Sequence, residues 1–318
     1  LVMGFCGSFG FLGAIRIVSR WFPPKRMALA SGSIVTFAML GGVVAQTPIA
    51  KMSADLGWQH ALVIFGFLGL ALVLLELLFV RDYPASYEHP AKSSVEHISS
   101  LGFWRSITMV VGNRYNWFGG LYTTLMNLPI FVSGALWGNM YLMQTQHLST
   151  IQASDVTAEL FFGTLIGAPL IGWISDKMKR RVLPMMIGAV VSLIIVLFII
   201  YLLNISFVTL LILFFLLGLI TSTQVLSYPT ITELNSPLVT GSAISIISLL
   251  IMASGVISQP LFGWILDLKW NHLVVKNVAI YSVDNFRAAM WIIPIGFIAS
   301  LVVAFFIKET FCTQQFNE

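Results

Sequence analysis

Apolar residues in this chain gather into long runs separated by short polar stretches. Nine such runs lie at roughly 1–20, 28–50, 60–80, 117–141, 150–175, 183–203, 206–229, 238–266 and 287–307. Each is long enough to cross a hydrocarbon core of ~30 Å as a helix. With 58% hydrophobic residues and 9% charged over 318 positions, the chain has too little polar surface to coat a soluble globule of its size. The pattern predicts an all-α polytopic membrane protein.

Two of the runs end alike. Pro48 is followed by Asp55, Leu56 and Trp58, and Pro260 by Asp267, Leu268 and Trp270, every matched pair 212 positions apart. Upstream, Gly32-Ser33 and Gly241-Ser242 are 209 positions apart, so the copies differ by about one inserted helical turn. A period of about 210 residues is too long for a solenoid and holds about six spans with their loops. Two parallel halves of six helices are expected, an architecture found in a large class of secondary transporters.

The basic residues set the orientation. If the spans alternate, 13 of the 17 Lys and Arg share one side: Arg16, Arg20, Lys25, Arg26, Arg81, Lys92, Arg105, Arg114, Lys177, Lys179, Arg180, Arg181 and Lys308. Lys51, Lys269, Lys276 and Arg287 fall opposite. The positive-inside rule makes the first group cytoplasmic, and the net charge of +4 then requires no nucleic acid. The first run would enter from outside, and no initiator Met or basic segment precedes it. If the second half begins near Trp117, its counterpart begins about 93 positions before Leu1, room for three spans of ~20 residues. Nine transmembrane helices, the fourth to twelfth of an expected twelve, are therefore read here. Residues 1–80 supply the last three helices of the N-terminal half, 81–116 a cytoplasmic linker, and 117–318 the six-helix C-terminal half. Within the linker, Leu101, Phe103, Trp104, Ile107, Val110 and Val111 fit either a short interfacial amphipathic helix or a merely solvated segment.

Gly172-Trp173-Ile174-Ser175-Asp176-Lys177-Met178-Lys179-Arg180-Arg181 resembles the G-x-x-x-D-[RK]-x-G-[RK]-[RK] loop signature of the major facilitator superfamily. The stretch from Trp21 to Gly32 is similar to that superfamily's loop between helices four and five. Lys179 stands where the signature carries Gly. The resemblance implies a major-facilitator-type helical bundle in which Gly172, Asp176, Lys177, Arg180 and Arg181 form a gating loop. It also implies that Asp176 sits near the start of helix eleven, marked here by Ser236 and Pro237 as N-cap and first helical residue. A plain topology-setting role for these charges is the alternative.

Ionisable residues inside the spans are rare, because a charge at the bilayer centre costs about 2.5–3.5 kcal/mol on insertion scales. Ser149 and Gln152 fit a capping box that starts a helix near Thr150. Glu159 then lies about 13.5 Å along it, near the midplane. On a helix that the resemblance assigns to the central cavity, Glu159 is the first candidate for proton coupling or substrate contact; a structural hydrogen bond to a neighbouring helix is the alternative. Arg16 could attract an anionic solute or serve a structural ion pair. Glu76 is expected to snorkel or to pair with Arg16 or Arg20. Gln46, Tyr122, Asn127, Trp137, Asn139, Gln224, Tyr228 and Gln259 lie on helices that the resemblance assigns to the cavity, though helix-to-helix bonding suits each singly. Pro129, Pro229 and Pro260 can loosen their helices. Gly163 and Gly167 form a small-xxx-small packing face.

Phosphate loops, zinc-protease and nucleophile-elbow motifs and paired-Cys metal spacings are missing from the sequence. No enzyme, cofactor or metal is therefore expected. The reading is a secondary active transporter of a small polar solute, an amino acid, short peptide or organic anion, working by alternating access in a bacterial inner membrane, with protons as one candidate coupling ion. Its expected partners are the lipid bilayer and the solute, with the protein a monomer. A non-transporting sensor on the same fold, a uniporter or exchanger, and a membrane-embedded enzyme stay open beside it.

Overall fold

The computed structural model describes residues 10, 13–18, 21–22, 26–81, 103–202, 205–236, 239–268, 270, 274–275, 278–279 and 281–315. They form helices throughout, apart from one antiparallel pair, Val274–Val275 with Val278–Ala279, in a loop. Helix α1 (Met27–Leu56) runs beyond the expected 28–50, and α2 (Trp58–Phe79) starts one residue later. Gly57 makes that reversal with φ of +81°, a backbone that L side chains rarely adopt. The repeat seen in the sequence has a structural counterpart, since α1 ends at Leu56 and the later helix Thr240–Leu268 at the matching leucine.

Three helices follow in the expected linker and 117–141 region: α3 (Phe103–Gly112), α4 (Arg114–Met126) and, beyond a π-helical segment Ile130–Trp137, α5 (Gly138–Thr145). The break falls at Asn127–Pro129. Proline has no N–H and crowds the preceding turn, and the wider winding shows in the Gly138 N–H, which bonds to the Ser133 carbonyl. Next come α6 (Thr150–Met178), α7 (Val182–Tyr201) and α8 (Phe207–Thr221). A 3-10 segment, Ser222–Leu226, leads to α9 (Ser227–Leu234), so Pro229 also sits just beyond a change of winding. Then α10 (Thr240–Leu268) carries Pro260 without interruption, and α11 (Val283–Met290) and α12 (Ile292–Phe306) complete the bundle.

Six stretches among the described residues are long and apolar enough to cross a membrane: Gln59–Phe79, Thr150–Met178, Val182–Tyr201, Phe207–Leu234, Thr240–Leu268 and Val283–Phe306. The capping box at the start of α6 is formed, with the Gln152 N–H donating to Ser149 Oγ at 3.3 Å and the Ser149 N–H to Gln152 Oε1 at 3.1 Å.

Glycine sets how closely α6 packs. A Cβ on Gly163 would overlap the Phe215 carbonyl oxygen of α8, and one on Gly218 the Leu160 carbonyl oxygen of α6. On the other flank of α6, a Cβ on Gly32 of α1 would likewise overlap the Ala168 carbonyl oxygen. Helix α6 is thus gripped between α8 and α1, which joins the first half of the chain to the second. Two apolar clusters extend this seam: Val35 with Ala168 and Val225, and Ile15 with Tyr228, Ile231, Ala243, Ile244 and Ile247. The outer surface is apolar as a lipid-facing wall requires, with Leu77, Phe305 and Val256 among its exposed residues.

Candidate functional site

The loop between α6 and α7 turns on Lys179, whose φ of 52° and ψ of 36° are left-handed. A lysine thus takes a left-handed backbone where the signature carries glycine, the residue that adopts it without steric cost. The Arg180 N–H bonds to the Ser175 carbonyl at 3.3 Å, and Ser175 Oγ donates back to the Arg180 carbonyl at 2.7 Å. This tight closure tucks Arg181 under the end of the bundle, where it is fully buried.

A buried guanidinium needs its charge and its donors answered. Arg181 Nη1 donates to Asp176 Oδ1 at 2.6 Å and to Ser175 Oγ at 3.1 Å, and Nη2 to Glu233 Oε1 at 2.7 Å. Burial opposes the charge, yet Glu233 and Asp176 more than offset it, and the guanidinium pKa is raised. Thr310 Oγ1 donates to the other oxygen of Glu233. Glu309 caps α7, accepting from the N–H of Arg181 at 2.7 Å and of Val182 at 3.0 Å. The segment after α12 stays bound, with the Gln315 N–H on the Glu233 carbonyl at 2.8 Å and Gln314 Nε2 on the Asn235 carbonyl at 2.6 Å. Cys312 lies against the same cluster, and burial pushes its thiol up to about 11.

Asp176 also reaches across the seam. Its Oδ2 accepts the Leu29 N–H at 3.2 Å, in the first turn of α1. Of the two residues expected beside it, Pro237 lies outside the described residues; the hydrogen bond seen here is to the start of a different helix. The reason is packing, because α1 lies along α6 while its first N–H groups have no partner within the helix. Farther along the same two helices, Thr36 Oγ1 donates to the Leu165 carbonyl at 2.7 Å. Of the other loop residues, Gly172 is buried, Lys177 lies 5.0 Å from the centre of the exposed Trp173 ring, and Arg180 is exposed.

Glu233 and Glu309 were not among the sequence candidates. Glu233 had a readable signal, an acid in a strongly apolar stretch, but the run closed at Pro229 and left it outside. Nothing local marks Glu309.

The interior candidates separate. Tyr122 is fully buried, its hydroxyl 2.8 Å from the Met185 carbonyl and 2.9 Å from Thr223 Oγ1, so it ties α4 to α7 rather than facing a cavity. Asn139 ties α5 to α6 through Ser154 Oγ at 3.2 Å and Thr157 Oγ1 at 2.8 Å. Gln259 Nε2 donates to the Phe131 carbonyl at 3.2 Å, while Trp137 Nε1 donates to the Gln259 carbonyl at 3.3 Å and its ring stacks on Phe262. Asn127 is half-buried at the helix break, and Tyr228 is buried within the second seam cluster. Gln224 is buried in the 3-10 segment with Oε1 unmatched by any donor among the described residues. Glu159 is half-buried without a hydrogen bond or ion pair among the described residues, and Asp155 stands one turn before it. Arg16 is exposed beside buried Ile15, and Glu76 is exposed. The Gln46 side chain lies outside the described residues, as do Arg20 and Pro237.

The model of the Major Facilitator Superfamily matches residues 1–153 and 120–313. The chain belongs to the major facilitator superfamily. Among similar proteins of this superfamily and its neighbours are the probable sulfoacetate transporter SauU of Cupriavidus necator, 22% identical over 57% of this chain and 43% of its own length, and the probable galactarate/D-glucarate transporter GudP of Escherichia coli, 25% identical over 57% and 44%. The membrane sensor protein UhpC of Salmonella typhimurium is 23% identical over 55% of this chain and 42% of its own. The chain thus spans less than half the length of these relatives. A solved bacterial homolog of the human lysosomal transporter Spinster, in an inward-facing and occupied conformation, shares the fold at a TM-score of 0.51 and 18% identity, over 92% of this chain and 72% of that one. As a major facilitator protein, the chain is an integral membrane protein of a transporter family rather than of an enzyme family.

Proposed function

We propose that this chain is part of a secondary active transporter for small organic anions, nine of whose spans lie here and whose halves rock about a site at mid-membrane depth. The observation that carries the reading is the seam at the basic end. From there inward, the Asp176–Leu29 bond, the Thr36–Leu165 bond and the contacts of Val35 hold α1 to α6, while Ile15, in the helical residues 13–18 before α1, and Ile34 of α1 pack on the cluster of α9 and α10. We take that end to be cytoplasmic and closed in this arrangement. Opening it would break few polar bonds, a small cost for an equilibrium that a solute must be able to shift. Asp176 is read as the latch, its carboxylate held by Arg181, which Glu233 anchors from the other side.

The anion preference rests on the relatives, several of which carry names of anionic solutes, among them sulfoacetate and galactarate/D-glucarate. Glu159 is the proposed coupling group, supported by its midspan position and its lack of a partner among the described residues. A second reading, a sensor that binds the same solutes without moving them, is favoured by the similarity to UhpC.

Counterflow in liposomes loaded with small dicarboxylates, sulfonates, hexuronates or hexose phosphates tests the proposal on the full-length protein. Accumulation of at least one labelled anion is expected. Saturable binding without any counterflow would replace transport by the sensor reading, and neither binding nor counterflow for any anion would overturn the substrate class.

A further inference from the structure

Helix α3 has two apolar sides. Its inner side seats Val110, 2% exposed, in the cluster with Val239, Ala243 and Ile247 of α10 and the turn before it. Its C-terminal end is fixed further, since Asn116 Nδ2 donates to the Val110 carbonyl at 2.9 Å and shares Asn235 with Asn113. The outer side carries Trp104, 76% exposed, and Val111, 48% exposed, seven positions apart and so on one line of the helix. Such a face, held open by a docked helix, is not what a water-washed linker requires.

The outer line runs on into a surface already facing lipid. Trp117 Nε1 donates to the Val111 carbonyl at 2.8 Å, which joins the end of α3 to α4, and Leu121 continues the exposed apolar row one turn along. Two arginines on these helices are exposed, Arg105 within α3 and Arg114 at the start of α4, the latter resting on its neighbour Tyr115, to whose hydroxyl Nη2 donates at 3.3 Å. Tryptophan and arginine at the edge of an apolar surface are what a headgroup layer favours. Amphipathic aromatic rings settle at that depth, and guanidinium groups pair with phosphate bidentately.

We propose that α3 is a lipid anchor: it lies in the headgroup layer of the bilayer, with Trp104 and Val111 turned to the acyl boundary and Arg105 and Arg114 binding the phosphates of anionic phospholipids. The occupant is the bilayer itself, because the apolar line is continuous with the lipid-facing flank of α4 and the charge next to it complements anionic lipid. The inference stands apart from the transport reading, since it concerns the surface outside the bundle.

The test places a nitroxide at Val111→Cys in the full chain, with Cys6 and Cys312 replaced by serine, in nanodiscs of phosphatidylglycerol or of phosphatidylcholine alone. In the anionic discs the label should collide readily with oxygen and poorly with a water-soluble nickel chelate. Replacing Arg105 and Arg114 by glutamine should raise chelate access in those discs by roughly fivefold for each arginine removed, and lysine at both positions should largely restore protection. Brominated lipid should quench the fluorescence that is lost in Trp104→Phe. A label equally open to the chelate in both lipids, with no quenching of Trp104, would overturn the anchor. Protection that ignores both arginines and lipid charge would overturn the anionic-lipid assignment. Solute counterflow plays no part in the readout.

Discussion

A fully buried arginine is tolerable only while its carboxylates stay beside it. Arg181→Ala should destabilise the protein by about 3–5 kcal/mol, because Glu233 would be left buried with its main partner gone; a detergent-solubilised melting curve checks it, and an unchanged midpoint would deny the cluster its structural role. Lys179 makes the opposite prediction. Its left-handed backbone costs a side chain about 1–2 kcal/mol, so Lys179→Gly should raise the midpoint. At Cys312 the thiolate is the reactive form. With the thiol near 11, alkylation should quicken about tenfold for each unit that pH rises while still below that value. A flat rate between pH 8 and 9 would mean that the thiol is not held as described. Residue pattern made some of this site readable and hid the rest. Asp176 and Arg181 were visible in the loop signature, and Ser149 with Gln152 by their spacing, because these partners are close in sequence. Glu233 is 52 positions from Arg181 and Glu309 more than twice as far, and only the packing of α9 and α12 joins them. Tyr122 was left between a cavity and a helix-to-helix bond because polarity marks a residue as needing a partner without saying on which side of its helix the partner stands.

At the level of elements, close approach of α6 and α8 depends on two missing side chains. Gly163→Ala or Gly218→Ala should each cost about 1–3 kcal/mol, since the new methyl meets a backbone carbonyl of the facing helix and no rotamer relieves it. A melting midpoint within error of wild type would mean that the helices can separate freely. Long apolar runs placed the spans from α6 to α12 to within a few residues, for hydrophobic length is a strong constraint in a bilayer; the widest miss is the run that stops at Pro229 while its helix continues to Leu234. Interruptions were less legible. Pro129 and Pro229 could be marked as loosening points, but that one precedes a π segment and the other follows a 3-10 turn is decided by what lies across the interface, not by the proline. The apolar run 28–50 stops six residues short of the end of α1, since Lys51 and Asp55 interrupt the hydrophobicity but not the helix, which continues to the Gly57 reversal.

For the whole molecule, the expected two-half plan comes from a repeat of four residues, a Gly-Ser pair and a period, whereas the way α1 meets α6 could not be read from it. The repeat relates α1 to α10 and says nothing of α1 against α6. Reporter fusions after Arg26, Lys92 and Arg181 should report the cytoplasm, and fusions near Asp55 and Lys276 the other side; an external signal at Arg181 would contradict the proposed orientation. Asp176→Ala in the full-length protein should slow transport while sparing insertion, by releasing the start of α1; wild-type rates at normal expression would leave the residue a topology marker. Glu159→Gln should abolish accumulation driven by a pH gradient and spare exchange, and continued accumulation would make Glu159 structural. The Glu309 cap bears on a different event, the making of the chain. Helix α7 takes its capping carboxylate from a residue translated 127 positions later than Val182, so α7 must enter the bilayer with its first turn bare and wait while α8 to α12 are synthesised. The basic end is then the last part of this half to close during biogenesis, and a nascent chain stalled before Glu309 would offer that open loop to the cell's proteases.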